Sequence, residues 1–139
     1  MQRVALMLLA FCLSLPAMAE QKQTYGALEV HYSAFNSGFL QPEVAASVGL
    51  VRSKSQGVVN VALLQAGKAS TGVVTGEVKN LLGQITPLTF KQVKEGAAIY
   101  YLAQFPFDQQ EMLRFTLNVK GADGVPRSFD FNQEFFPDQ

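Results

Sequence analysis

Apolar and polar residues alternate without a break through Leu113-Arg114-Phe115-Thr116-Leu117-Asn118-Val119-Lys120. Successive side chains of an extended chain point to opposite faces. Leu113, Phe115, Leu117 and Val119 therefore share one face, and Arg114, Thr116, Asn118 and Lys120 the other. A helix would scatter the four apolar residues around its circumference. The pattern predicts a strand with one face in a core and one in water, as in an antiparallel sheet. The same rhythm recurs along the chain. Leu28, Val30, Tyr32 and Ala34 alternate with Glu29, His31 and Ser33, and Val59, Val61 and Leu63 with Val58, Asn60 and Ala62. Val74, Gly76, Val78 and Leu82 form one face opposite Thr75, Glu77 and Lys79. Leu88 and Phe90 mark a further strand, where Pro87 suits an edge or a strand start. Ile99–Phe105 is apolar on both faces, which places it mid-sheet with its outer face partly covered. Phe129, Phe131 and Phe135 alternate with Asp130, Asn132 and Glu134 in a last strand. Asn36-Ser37-Gly38, Gly67–Gly72, Gly83-Gln84, Glu95-Gly96 and Gly121–Gly124 supply the turns.

One stretch breaks the rhythm. Pro42–Gly49 reads as a short helix, with proline at its first position, Glu43 at its positive end and Gly49 as its stop. Val44, Ala45 and Val48 share a face. Two turns cannot stand alone in water, so the helix must lean on the sheets, and capping one end of the core is a natural place for it. Residues 20–24 are polar and read as a loose start. About seven short strands and one short helix near residues 42–48 predict an all-β fold, an antiparallel immunoglobulin-like β-sandwich. A closed lipocalin-like barrel is the runner-up. The expected core holds Val30, Tyr32, Val61, Leu63, Val78, Phe90, Ile99, Tyr101, Leu113, Phe115, Leu117, Val119, Phe129 and Phe131.

The N-terminus changes the bookkeeping. Arg3, the uncharged run Val4–Leu15, the break at Pro16 and Ala17-Met18-Ala19 together read as a secretory signal, cleaved after Ala19. The apolar run is short for a membrane span, though an uncleaved anchor is the alternative. Residues 20–139 then form a single domain, expected in the periplasm and with no stable membrane span. The whole chain carries 11 Lys+Arg and 11 Asp+Glu. Removing residues 1–19 takes away Arg3 and the sole cysteine, Cys12. The mature chain is left with one excess negative charge and no means of forming an internal disulfide. Near-neutrality argues against nucleic acid as a partner, since that role needs a basic field.

The search for chemistry is mostly negative. His31 is the only histidine, so neither a multi-histidine nor a thiolate metal site is expected. Neither Gly-x-Ser-x-Gly nor Ser-x-x-Lys occurs in the mature chain. Gly67–Gly72 resembles a phosphate loop only superficially, because Ala follows the lysine and the upstream glycine is missing. No cofactor and no catalytic group are expected. Asp130 and Glu134 lie on one strand face roughly 13 Å apart, farther than the roughly 5–9.5 Å of glycosidase pairs. Asp108 and Glu111 share a loop that lacks the spaced oxygens of a calcium motif, and a weak cation site there is the lesser alternative to a plain acidic loop. The residues left as binding candidates are His31, Arg52, Lys54 and Tyr100. His31 falls on the wet face of its strand, where it serves as solvent-facing residue, lone base or ligand contact. Arg52 and Lys54 would face the same way in an extended segment and form a small anion-binding corner. Tyr100, Phe107 and Phe136 fall outside the inward alternation, and exposed together they would make an apolar contact patch.

Tyr25-Gly26, His31–Ser37, Phe39-Leu40, Arg52-Ser53-Lys54, Asn60-Val61, Asn80-Leu81-Leu82-Gly83, Ile99–Leu102 and Leu113-Arg114-Phe115 resemble an uncharacterised family of secreted proteobacterial proteins along nearly the whole mature chain. The resemblance implies a Gram-negative periplasmic setting and a β-rich domain, and carries over no activity and no site. Two function classes follow. The first is a non-catalytic interaction module for an envelope protein or ligand, working through loops or a strand edge. The alternative is a small ligand carrier or enzyme acting on envelope material. Oligomeric state is not legible in the sequence.

Overall fold

The computed structural model describes residues 21–137, and the export segment read in residues 1–19 lies outside them. Alternating apolar residues build six long strands: β2 (Leu28–Asn36), β3 (Gln56–Gln65), β5 (Val73–Lys79), β8 (Ala98–Pro106), β9 (Glu111–Lys120) and β10 (Pro126–Phe135), joined by the shorter β1 (Gln21–Tyr25), β4 (Lys68–Ser70), β6 (Ile85–Leu88) and β7 (Lys91–Glu95). One sheet runs β1-β2-β3-β8-β7, with β4 paired to β3 beside that path; the other runs β10-β9-β5-β6. Every pairing is antiparallel. The chain fills the two sheets in alternate blocks: β1–β4, then β5–β6 opposite, then β7–β8 back in the first, then β9–β10. Two separate sheets make a sandwich rather than a closed barrel.

The interlayer core is the alternation made solid. Val30 and Tyr32 on β2, Val61 and Leu63 on β3, and Tyr101 and Phe105 on β8 face Val78, Leu113, Phe115, Leu117, Val119 and Phe131 across the gap, all of them buried. Phe90, Ile99 and Phe129 are only partly buried and pack against the margin of this cluster. Its centre is aromatic: Phe115 stacks on Phe131 at 4.8 Å and meets Phe105 edge-on at 5.3 Å, geometries that suit the ring quadrupoles. The buried Tyr101 hydroxyl donates to Gln92 Oε1 at 3.1 Å and accepts from the Gly72 N–H at 3.0 Å.

Ten strands stand where about seven are expected, and the extra three have physical reasons. Residues 21–24, read as loose, lie in β1 and pair with β2, as in Lys22↔His31. An edge ladder is made by the backbone and tolerates polar side chains on both faces. The turn read over Gly67–Gly72 contains β4, because Ala66 adopts a left-handed φ of 52° and reverses the chain before Lys68. The single strand read through Leu88 and Phe90 is two strands, β6 and β7, in opposite sheets. Both residues face the same interlayer space, so the inward phase survives while the backbone changes partners. Pro87 does lie on an edge strand, paired to Glu77.

The helix forms as expected, α1 (Pro42–Val48), yet it buries only Ala45 and leaves Val44 40% exposed. It does not cap the core. Gln104, on the outer face of β8, donates from Nε2 to Val51 O and accepts from the Val51 N–H at 3.3 Å. Lys91 Nζ donates to Val48 O at 3.0 Å. The segment after α1 is thereby held over the outside of the first sheet, where Val58 and Leu102 are also buried. Behind it, the buried Ser37 hydroxyl donates to Ser53 O at 3.0 Å and accepts from the Ser53 N–H at 2.8 Å.

Candidate functional site

The β5–β6 hairpin is built around one side chain. Asn80 Oδ1 accepts from the N–H groups of Leu82 (3.0 Å) and Gln84 (2.9 Å), while its Nδ2 donates to Gln84 Oε1 at 2.8 Å. The backbone closes the same loop: Asn80 N donates to Gln84 O at 3.1 Å and Gly83 N to Asn80 O at 3.0 Å. Gly83 takes φ 83°, a left-handed conformation that side chains other than glycine's resist. With its polar groups turned inward on themselves, the loop holds Leu81 and Leu82 in water at 74% and 79% exposure. Ile85, in register with Lys79 on the outer face, and Met112 are also exposed. Leu81 and Met112 line one shallow depression, with Arg114 and Asn132 at its side. Alternation puts Leu82 on the inward face of β5. The strand stops at Lys79, and the residue lies in the turn instead.

The inner side of the same hairpin borders a cleft of about 310 Å³ at the open end of the sandwich. Val78, Leu113 and Phe107 give it apolar surface, and Gln84, Thr86, Asp108 and Glu111 give it polar groups. A hydrogen bond from Phe107 N to Ser55 O at 2.9 Å ties two of its loops together.

The four candidates read from the sequence sit elsewhere. His31 lies on the outer face of β2 with Nε2 3.0 Å from Glu29 Oε1. Tyr100 lies half-buried on the outer face of β8, with β3 between them. Arg52 and Lys54 lie in the loop after α1, where Arg52 Nη2 donates to Gly38 O at 3.2 Å. That loop is not a strand, so the two cations are not aligned by strand geometry. None of the four lines the cleft. The aromatic patch also dissolves: Phe107 is buried in the core against Phe105 and Phe135, and Tyr100 and Phe136 are half-buried. Asp130 is occupied by Arg114, Nη2 to Oδ2 2.7 Å, and that hydrogen bond holds its carboxyl below the usual aspartate range. Among the described residues no group of three or more His, Cys, Asp or Glu side chains gathers as a metal site. No helix among them is long and apolar enough to cross a membrane.

Comparison with known proteins follows the fold. A search of curated proteins finds no match. The crystal structure of a DUF4426 family protein from Pseudomonas aeruginosa PAO1 is 52% identical, with a TM-score of 0.80 over 86% of this chain and 97% of that one. A copper-bound variant of FetP from uropathogenic Escherichia coli strain F11 is 12% identical, with a TM-score of 0.61 over 84% of this chain and 95% of that one. FetP of the same strain, recombinantly expressed in the periplasm of E. coli, is 13% identical, with a TM-score of 0.54 over 83% and 91%. At these identities the FetP likeness is one of fold. The family model for the domain of unknown function DUF4426 matches residues 22–138, and the chain belongs to that family.

Proposed function

We propose that this protein is a non-catalytic binding module of the Gram-negative envelope, released into the periplasm as residues 20–139 after cleavage at Ala19, and that it docks to a protein partner through the β5–β6 hairpin. One observation carries the reading: two adjacent leucines are held almost fully in water by a loop that Asn80 stiffens. Leaving them exposed forgoes roughly 1.5–3 kcal/mol of burial for each. A contiguous apolar surface on a firm support is what partner sites present, and a preformed loop loses little entropy on docking. Ile85 and Met112 extend the apolar surface, while Lys79 and Arg114 supply a polar rim. The export signal at residues 1–19 supports the compartment. His31, Arg52, Lys54 and Tyr100 have no part in this reading.

The test is the double substitution Leu81→Asp with Leu82→Asp. Both side chains already face water, so the melting temperature is expected to stay within about 2 °C of the parent, as for ordinary surface changes. Crosslinking from a photoreactive group at the exposed Ile85 position to a periplasmic protein should disappear when Leu81→Asp and Leu82→Asp are introduced beside it. Crosslinks that persist unchanged would place the contact surface elsewhere.

A further inference from the structure

We infer that the cleft between the β5–β6 hairpin and the β8–β9 connection binds a small organic cation, an ammonium or guanidinium group carried on a short apolar body. The inference stands apart from the docking role of the hairpin, whose leucines are not among the residues that line the cleft.

Charge gives the sign of the ligand. Asp108 and Glu111 line the cleft, and no Lys, Arg or His does. Among the described residues neither carboxylate has an ion pair or a side-chain hydrogen bond, whereas Glu29, Asp123 and Asp130 are each matched to a base within 4 Å. Asp108 is exposed and Glu111 half-buried, and two uncompensated carboxylates at the mouth of a cleft repel an anion and attract a cation.

The remaining lining gives the shape. Asn80 is used up inside its own loop, and it also fixes Gln84 Oε1 by donating to it at 2.8 Å. The Gln84 Nε2 and the Thr86 hydroxyl carry no partner and are available to polar atoms of a ligand. Val78, Phe107 and Leu113 offer buried carbon against which a methylene chain can lie. About 310 Å³ is at the lower end of the size of small-molecule sites, so the ligand is compact. A bare divalent cation fits this lining poorly. Calcium takes six to eight oxygens, and the described residues hold no cluster of three or more acidic, histidine or cysteine ligands. The walls are firm before any ligand arrives, because the Asn80 loop braces one and the Phe107 N to Ser55 O bond braces the other. Such preorganisation lowers the entropy cost of binding.

The probe is n-butylammonium chloride, titrated into the isotopically labelled exported protein at constant ionic strength and followed by amide chemical shifts. Saturable shifts centred on Gln84, Thr86 and Glu111 are expected, with sodium butyrate and 1-butanol giving no comparable effect. The double variant Asp108→Asn with Glu111→Gln should bind roughly tenfold more weakly or not at all, since both carboxylate charges are then gone from the lining. Glu43→Gln, on α1 and outside the cleft lining, should bind as the parent does, and so should the Leu81→Asp, Leu82→Asp variant. Equal binding of 1-butanol, or full affinity in the double variant, would overturn the inference. Calcium chloride shifting the same amides while butylammonium leaves them unmoved would overturn it in favour of a metal. Should the double variant unfold, Glu111→Gln alone gives the same reading.

Discussion

Asn80 supplies inside one loop the hydrogen bonds that paired strands supply to each other. Its side-chain oxygen takes two backbone donors and its nitrogen reaches Gln84, so alanine there would leave those donors to water. The loop is exposed, so water compensates part of the loss, and Asn80→Ala should cost about 1–2 kcal/mol in urea denaturation. The larger effect should be local. Amide exchange at Leu82 and Gln84 is expected to accelerate strongly while the β9 amides stay protected. An unchanged exchange rate at those two amides would mean that the backbone bonds alone hold the loop. Asn80-Leu81-Leu82-Gly83 is legible in the sequence as part of a family resemblance, but its meaning is not. Alternation assigns Leu82 to the strand face shared by Val74, Gly76 and Val78 because periodicity counts residues and does not see where a strand stops. The visible clue is a pair of adjacent leucines directly before a turn glycine, which breaks the two-residue rhythm.

At the scale of elements, legibility follows how local the cause is. β9 and β10 are plain because each has one face in the core and one in water. α1 is plain because its ends carry their own signals. What escapes depends on partners far along the chain: the handover from β6 to β7, the edge pairing of β1, and the placement of α1 on the outside of the first sheet. The cleft belongs to the same class, since Asp108 and Glu111 meet Gln84 and Thr86 only through folding. One element contact is invisible for a simpler reason. Gly57 on β3 pairs with Phe105 on β8, and the Phe105 ring lies over the glycine backbone. A Cβ at position 57 would come within 2.8 Å of the ring's Cε2 and closer still to its Cζ. The ring cannot yield easily, being fully buried and in contact with Phe115 at 5.3 Å and Phe135 at 5.2 Å. Gly57→Ala should therefore cost about 1–3 kcal/mol, as overpacked cores do. Thermal melts check this, and a melting temperature equal to the parent's would mean the β3–β8 pair can separate without loss.

For the whole molecule, stability must come from the interlayer core, because the described residues include no cysteine to crosslink them. A domain of this kind holds about 5–15 kcal/mol in total. Phe115 sits at the middle of that core, fully buried, stacked on Phe131 with an interplanar angle of 11° and set edge-on to Phe105. Removing such a ring costs about 3–5 kcal/mol through lost transfer energy and the cavity left behind. A carboxylate in its place adds the cost of stripping water from a charge, several kcal/mol even after relaxation. Protonating the group instead leaves an unsatisfied hydroxyl and carbonyl among rings, at about 1–3 kcal/mol. Either route consumes most of the stability of the domain, so Phe115→Asp should yield no folded protein. Phe115→Leu keeps an apolar side chain in the layer and should fold with a lowered melting temperature and its near-ultraviolet dichroism largely retained. The pair separates burial from aromaticity as the source of stability. A soluble Phe115→Asp variant with an unchanged melting curve would mean that the two sheets do not enclose this ring, and the sandwich would lose its centre.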